Sequence, residues 1–382
     1  MKQSIDVRRS ESSRMSPNPP AALLAALACV LSTALLAGCP PPGDSDIRVT
    51  VSSGGETARD LSREEIIALA RREAEMWWYT SLPETQAQAY LDRFESAYPF
   101  ITANLVRGST FDIVRRIDRE LARGEVRADS LHVLDPAVFD DLRRRGELHS
   151  HDPEHARHFP SDYQEAGQWT AMRAVTICIA YDSSRMSADE APSTWLDLLD
   201  PKWRGRIGLK DAQTGGSAFS EYYLLREQYG IHFWRQMAGQ QPRLFRSSSD
   251  TLRALTSGQI DLAGGILGYS VFGAIEEGMP VTPVWPEDGV PMTVGPLAVL
   301  SRAPHPHAAI LFMDWALSQE GQKAIVEISG AYSLRDDVAP AQGRPRLSEL
   351  NIIAQEGSWT EYRTRQDRLQ SEYSRLFHPE SE

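Results

Sequence analysis

Hydroxyls and glycines gather in four short runs of this chain: Thr80-Ser81, Ser109-Thr110, Thr214-Gly215-Gly216-Ser217 and Ser247-Ser248-Ser249. Each run stands just ahead of a segment with helical hydrophobic spacing. A helix start leaves its first N–H groups without intrahelical partners and carries the positive end of the helix dipole. Hydroxyl donors beside such an end suit a phosphate or carboxylate, and four converging ends would neutralise one without a formal cation. Serine and threonine are ordinary N-caps as well, so one run alone carries little weight. Arg173, just ahead of the apolar run 174–181, adds a planar fork that can hold two oxygens of one anion. Tyr79, Tyr269 and Trp169 are the aromatic residues expected to cover an organic group.

Competing chemistries find little support. The sequence holds no HExxH, no GxSxG, no Walker loop and no CxxC, which argues against an exported enzyme. Glu287-Asp288 reads as part of a turn rather than a catalytic pair. His149, His151, His155 and His158 have spacing that permits metal ligation, but the segment around them reads as a solvated polar loop. No metal or other cofactor is expected.

A hydrophobic fraction of 41% and a charged fraction of 24% describe a folded globular chain of 382 residues, enough for two or three domains. The formal net charge of −12 argues against nucleic acid as a partner. Of three cysteines, only Cys178 falls in the folded body, so no disulfide framework is expected there. Residues 1–38 read as a signal peptide, with basic Lys2, Arg8, Arg9 and Arg14 followed by the apolar run 21–38. The run ends Leu36-Ala37-Gly38-Cys39, which resembles the lipobox of bacterial lipoproteins. That resemblance implies cleavage before Cys39 and lipid attachment to it. Residues 39–60, rich in Pro, Gly and Ser, read as a flexible tether.

Further elements must position the hydroxyl runs. Ser62 and Glu65 form a capping box at the head of a helix over 61–73. Strand patterns at 76–79, 101–106 and 131–134 alternate with helical patterns at 84–98, 111–121 and 136–142. Such alternation predicts a parallel sheet with helices on its faces, whose ligand crevice lies at the carboxyl ends of the strands. Residues 174–181 read as a buried strand crossing into a second lobe, with further strands at 260–266, 281–285 and 294–300. Helices are expected at 218–229, 233–240, from Leu252 to about Gly258, and at 307–328, with a charged amphipathic helix closing the chain on the surface.

Six runs are similar to the iron(III)-type branch of family 1 extracellular solute-binding proteins of ABC importers: residues 68–81, 107–121, 194–212, 246–263, 285–300 and 305–322. The most characteristic is TWLDLLDPKWRGRIGLKDA at 194–212. The resemblance implies a two-lobed periplasmic-binding-protein-like fold of type II, each lobe a mostly parallel sheet flanked by helices. The expected division is 61–172 for the first part of lobe 1, 173–291 for lobe 2, 292–345 for the return to lobe 1, and 346–382 for a C-terminal helical extension. Ferric-binding members place adjacent tyrosines after the strand at 260–267, where this chain has Gly268-Tyr269. Where such members often carry a histidine, it reads Ser81-Leu82-Pro83.

The expected activity is therefore capture of a small organic anion, phosphorylated or phosphonate-type, by a monomeric lipoprotein that delivers it to an ABC permease. The expected ligand contacts are Tyr79, Thr80, Ser81, Ser109, Thr110, Arg173, Thr214, Gly215, Gly216, Ser217, Ser248, Ser249 and Tyr269. The alternatives are ferric iron uptake and a ligand sensor for a membrane kinase.

Overall fold

The computed structural model describes residues 61–379. The expected signal peptide, the lipidated Cys39 and the tether lie outside the described residues. The first lobe opens with α1 (Arg63–Glu73), and Ser62 and Glu65 form the capping box there, with Ser62 N donating to Glu65 Oε2 at 2.8 Å. Then come β1 (Glu75–Thr80), α2 (Glu84–Ala97), β2 (Thr102–Arg107), α3 (Thr110–Arg123), β3 (Ser130–His132) and α4 (Pro136–Arg144). A short β4 (Gln164–Glu165) leads into β5 (Trp169–Asp182), all of whose fourteen residues are buried.

The second lobe follows with β6 (Ile207–Lys210), α5 (Ser217–Gly239), β7 (Arg243–Phe245), α6 (Ser248–Thr256), β8 (Leu262–Leu267), α7 (Gly268–Glu276) and β9 (Val281–Val284). The chain returns along β10 (Val290–Val299), then α8 (Pro306–Leu317), α9 (Gln319–Ser329), β11 (Ile352–Ile353) and α10 (Trp359–Phe377).

The strand order is β2-β1-β3-β10-β5-β8-β6-β7. β1 lies parallel to β2 and β3, and β6 lies parallel to β7 and β8. β5 and β10 pair antiparallel with each other, and β5 goes on to pair with β8 and β9. One long strand thus belongs to both sheets. The register aligns Thr80 with Arg107 and His132, so three strands end level at one edge. Lys210 is paired with Phe245 at the matching edge of the second lobe. The two carboxyl edges carry the loops that form the cleft.

Three elements differ from expectation. The crossing strand starts at Trp169 rather than Ala174, because β10 pairs with it from Leu297↔Thr170 onward. Trp169 is therefore buried beside Phe139, with ring centroids 6.4 Å apart, and is removed from any ligand-covering role. The helix expected over 307–328 breaks at Ser318, whose extended backbone ends α8 while its Oγ accepts from Gly321 N to cap α9.

The C-terminal helix does not simply close the chain on the surface. Tyr362, Gln366, Leu369 and Tyr373, spaced at i, i+4, i+7 and i+11, are all buried. On one side Thr360 Oγ1 donates to Asp140 at 2.6 Å and Gln366 Nε2 to Asp135 at 3.0 Å. On the other, Tyr222 OH and Arg226 Nε donate to Glu372 at 2.7 and 2.8 Å. α10 thus ties α4 of the first lobe to α5 of the second. Leu369→Ala removes a side chain 1% exposed from that core and is expected to cost about 2–5 kcal/mol in urea unfolding. A loss below about 0.5 kcal/mol would show that α10 is peripheral to the fold.

Candidate ligand-binding site

A cavity of about 200 Å³ lies between the two carboxyl edges. Ser81, Ser109 and Thr110 line it from the first lobe. Thr214, Gly215, Gly216, Ser217, Ser248, Ser249 and Tyr269 line it from the second. Three expected contacts are absent from its wall. Tyr79 points to the opposite face of β1, is fully buried and donates from its OH to Glu120 at 2.7 Å. Thr80 is buried, with its Oγ1 engaged by His132 Nδ1 at 2.8 Å and by Leu82 N at 3.1 Å. Arg173 has no exposed surface and does not line the cavity, although its guanidinium carbon is 5.9 Å from the Tyr269 ring centroid.

The helix starts differ in what they leave free. Ser109 caps α3: its Oγ accepts from Asp112 N at 3.2 Å and donates to Asp112 Oδ2 at 2.6 Å. Ser247 does the same for α6 with Asp250, at 3.1 and 2.7 Å. Those hydroxyls are occupied by the capping role that serine ordinarily fills. α5 is different, because its cap is Gly216 and no side chain accepts from its first turn. Its leading N–H groups remain available to an anion. Ser81 Oγ and Ser248 Oγ are buried with no hydrogen-bond partner among the described residues.

The seam between the lobes requires glycine on the second-lobe side. Gly215 and Gly216 have φ of +72° and +57°, which L side chains seldom adopt. A Cβ on Gly215 would stand 2.8 Å from the Phe111 ring, and one on Gly216 would stand 2.6 Å from Thr110 Oγ1. α3 therefore packs directly on the backbone of the 214–217 turn.

Three cations that the sequence reading missed also line the cavity: Arg107, Lys210 and Arg246. The expectation of neutralisation without a formal cation is corrected accordingly. The missed signal was positional. Arg107 and Lys210 end β2 and β6, Arg246 directly follows β7, and Arg107 and Arg246 stand one or two residues ahead of a hydroxyl run. Among the described residues no carboxylate lines the cavity. Lys210 Nζ donates to Ser217 Oγ at 3.2 Å. Enclosure by protein pushes its ammonium down to about 8, with nearby Arg107 and Arg173 lowering it further and Glu221 opposing. Burial likewise pushes Glu221, which lies against Gly265 of β8, up to about 8.

Beneath this group, Arg173 Nε donates to His132 Nε2 at 3.2 Å, so the ring proton sits on Nδ1, which donates to Thr80 Oγ1. Burial first, and the Arg173 charge second, hold His132 well below the usual histidine range and therefore neutral. Both Nη atoms of Arg173 are buried without a hydrogen-bond acceptor among the described residues. Elsewhere, His151 is buried against Asp314 at 2.7 Å, and His155 and His158 are ring neighbours at 6.4 Å. Among the described residues no group of three His, Cys, Asp or Glu is arranged to hold a metal ion.

Two α/β lobes sharing a crossing strand, with a polar cavity between their carboxyl edges, define a periplasmic-type solute-binding protein. The chain belongs to the family described as bacterial extracellular solute-binding protein, whose model matches residues 131–352. It is similar to the major ferric iron-binding protein of Neisseria meningitidis, 24% identical over 48% of this chain and 57% of that one. In fold it is similar to iron-bound HitA from Pseudomonas aeruginosa, with a TM-score of 0.70 and 22% identity over 78% of this chain and 99% of that chain. It is equally similar to AfuA from Actinobacillus pleuropneumoniae with exogenous fructose-6-phosphate bound, with a TM-score of 0.71 and 18% identity over 80% of this chain and 98% of that chain. The family consists of exported solute-binding transport proteins rather than enzymes.

Gly216→Ala forces a Cβ onto Thr110 and is expected to hold the lobes apart. Small-angle scattering would show a larger radius of gyration at unchanged far-UV circular dichroism. Superimposable scattering curves would mean that these glycines do not set the lobe approach.

Proposed function

We propose that this protein captures a small organic oxyanion, a phosphorylated or phosphonate-type compound, and delivers it to the permease of an ABC importer. The observation that carries the reading is the cavity wall: three cations, an uncapped helix start and unpartnered hydroxyls, with no carboxylate. Phosphate oxygens are matched by such a set, because charge-assisted hydrogen bonds are strong where water is excluded. The fold shared with the fructose-6-phosphate complex of AfuA supports a ligand of this kind. Closure would be a hinge motion through β5 and β10, with contacts from both lobes favouring the closed form. Lipidation at Cys39 would keep the protein at the membrane beside the permease.

The names of several relatives favour ferric iron as the second reading. Its donor set is weak here, since the wall has one tyrosine, no histidine and no carboxylate. At the neighbouring position, a Cβ on Gly268 would stand 2.5 Å from the Trp285 ring, which leaves no room for a second tyrosine. A role as sensor for a membrane kinase would use the same cavity and would be separated by finding a kinase, rather than a permease and ATPase, as its partner.

A thermal-shift panel of phosphoesters, phosphonates, carboxylates and ferric citrate tests the assignment. Stabilisation by phosphoesters or phosphonates is expected; stabilisation by ferric ion with no response to any oxyanion would overturn it. The pH dependence has a defined sign. Above pH 7 a phosphomonoester is already a dianion, its second pKa being about 6. As pH rises through about 8, Lys210 loses its positive charge and Glu221 gains a negative one. Both changes weaken anion binding, so affinity should fall by up to about tenfold per pH unit for each group. Lys210→Met should weaken binding at pH 7 and flatten that fall in calorimetric titrations.

A further inference from the structure

We infer that Phe111 sets the size limit on the organic part of the ligand, a conclusion that rests on the oxyanion reading above. The ligand cavity has a neighbour. A second cavity, of about 310 Å³, is lined by Phe111, Ala212, Gln213, Phe219 and Tyr373 among others. Both cavities flank one seam. On α3, Ser109 and Thr110 face the ligand cavity while Phe111 and Arg115 face the second. On the opposing lobe, residues 214–217 face the first while Ala212, Gln213 and Phe219 face the second.

The plug in that seam is the Phe111 ring. Its Cδ1 and Cε1 atoms each stand 2.8 Å from where a Cβ of Gly215 would be, so the ring packs directly on the glycine. The ring supplies all three of the nearest atoms to that point. The cavity behind it has the chemistry of a ring site. Arg115 offers a guanidinium that can lie over a planar ring, Gln213 and Gln370 offer amide donors and acceptors, and the nearly buried Phe219 and Tyr373 form the apolar base. α10 backs this wall, with Ser374 Oγ accepting from Gln213 Nε2 at 3.0 Å. The wild-type cavity of about 200 Å³ therefore takes compact phosphoesters and excludes those bearing a bulky planar ring. With the ring removed, the seam opens and the planar group gains a site of its own.

The test is calorimetric titration of wild type, Phe111→Ala and Phe111→Leu with glycerol 3-phosphate, fructose 6-phosphate and adenosine 5′-monophosphate. Wild type is expected to prefer the first two over the nucleotide by at least about tenfold, and Phe111→Ala to cut that preference by at least about tenfold. Phe111→Leu, which keeps an apolar plug, should behave as wild type. A uniform loss across all three probes in Phe111→Ala would assign the ring to lobe closure and overturn the inference, as would wild-type binding of the nucleotide. If wild type binds none of the probes, the oxyanion reading fails by itself. The crystal structure of Phe111→Ala then decides: one continuous cavity upholds the partition, and two separate ones overturn it.

Discussion

The site is organised around positive charge that the protein itself leaves unbalanced. Arg107, Lys210 and Arg246 face one cavity, Arg173 is buried near them, and no carboxylate lines the wall. Burying a charge is costly, and the depressed ammonium of Lys210 reflects its burial first and the neighbouring arginines second. Glu221, the acidic group beside Lys210, is itself pushed toward neutrality by burial and offers little relief. On the proposed function, an arriving oxyanion would supply counter-charge to donors already in place, with little reorganisation on binding.

Second-layer contacts keep that arrangement. Arg173 is oriented through Nε by a histidine whose other nitrogen is held by Thr80, with the Tyr269 ring beside its guanidinium. Thr80 and His132 are register partners on adjacent strands, and Gly295 opposite leaves room for the ring, since a Cβ there would stand 2.5 Å from His132 Nε2. The sheet register thus fixes the guanidinium, which explains why Thr80 is buried behind the cavity rather than on its wall. α10 acts similarly on the second lobe. His378 and Asp211 pair at 3.3 Å, and Gln213 donates to Ser374, so the last helix holds the turn that presents Thr214 to Ser217.

The crossing strand β5 links the two halves mechanically and electrostatically. It carries Arg173 in its first half, pairs with β10 in the first lobe and with β8 and β9 in the second. Any relative motion of the lobes therefore pivots close to the buried arginine, and the seam at Gly215 and Gly216 is where the opposing surfaces meet. On the proposed function, binding and closure would be coupled, because the same turn supplies the uncapped helix start and the seam.

Much of this was written in the sequence. Alternating patterns gave the α/β class, the capping box at Ser62 and Glu65 was legible, and ten of the thirteen expected contacts line one cavity. Local rules sufficed there, because helix starts and strand ends depend on neighbouring residues and the carboxyl edge of a parallel sheet is a general crevice. Side-chain direction was not legible: Tyr79 and Thr80 alternate across a strand, and only the packing of α3 and the pairing with β3 determine that neither faces the cleft. Arg107, Lys210 and Arg246 were hidden for the same reason. A cation at a strand end looks like any solvated residue until three such ends are brought to one cavity. Residue types and spacing by themselves determined the class of fold and the hydroxyl-rich loops. Only tertiary structure decided the charge of the site and what its walls exclude, because both depend on groups from distant strands meeting across the seam.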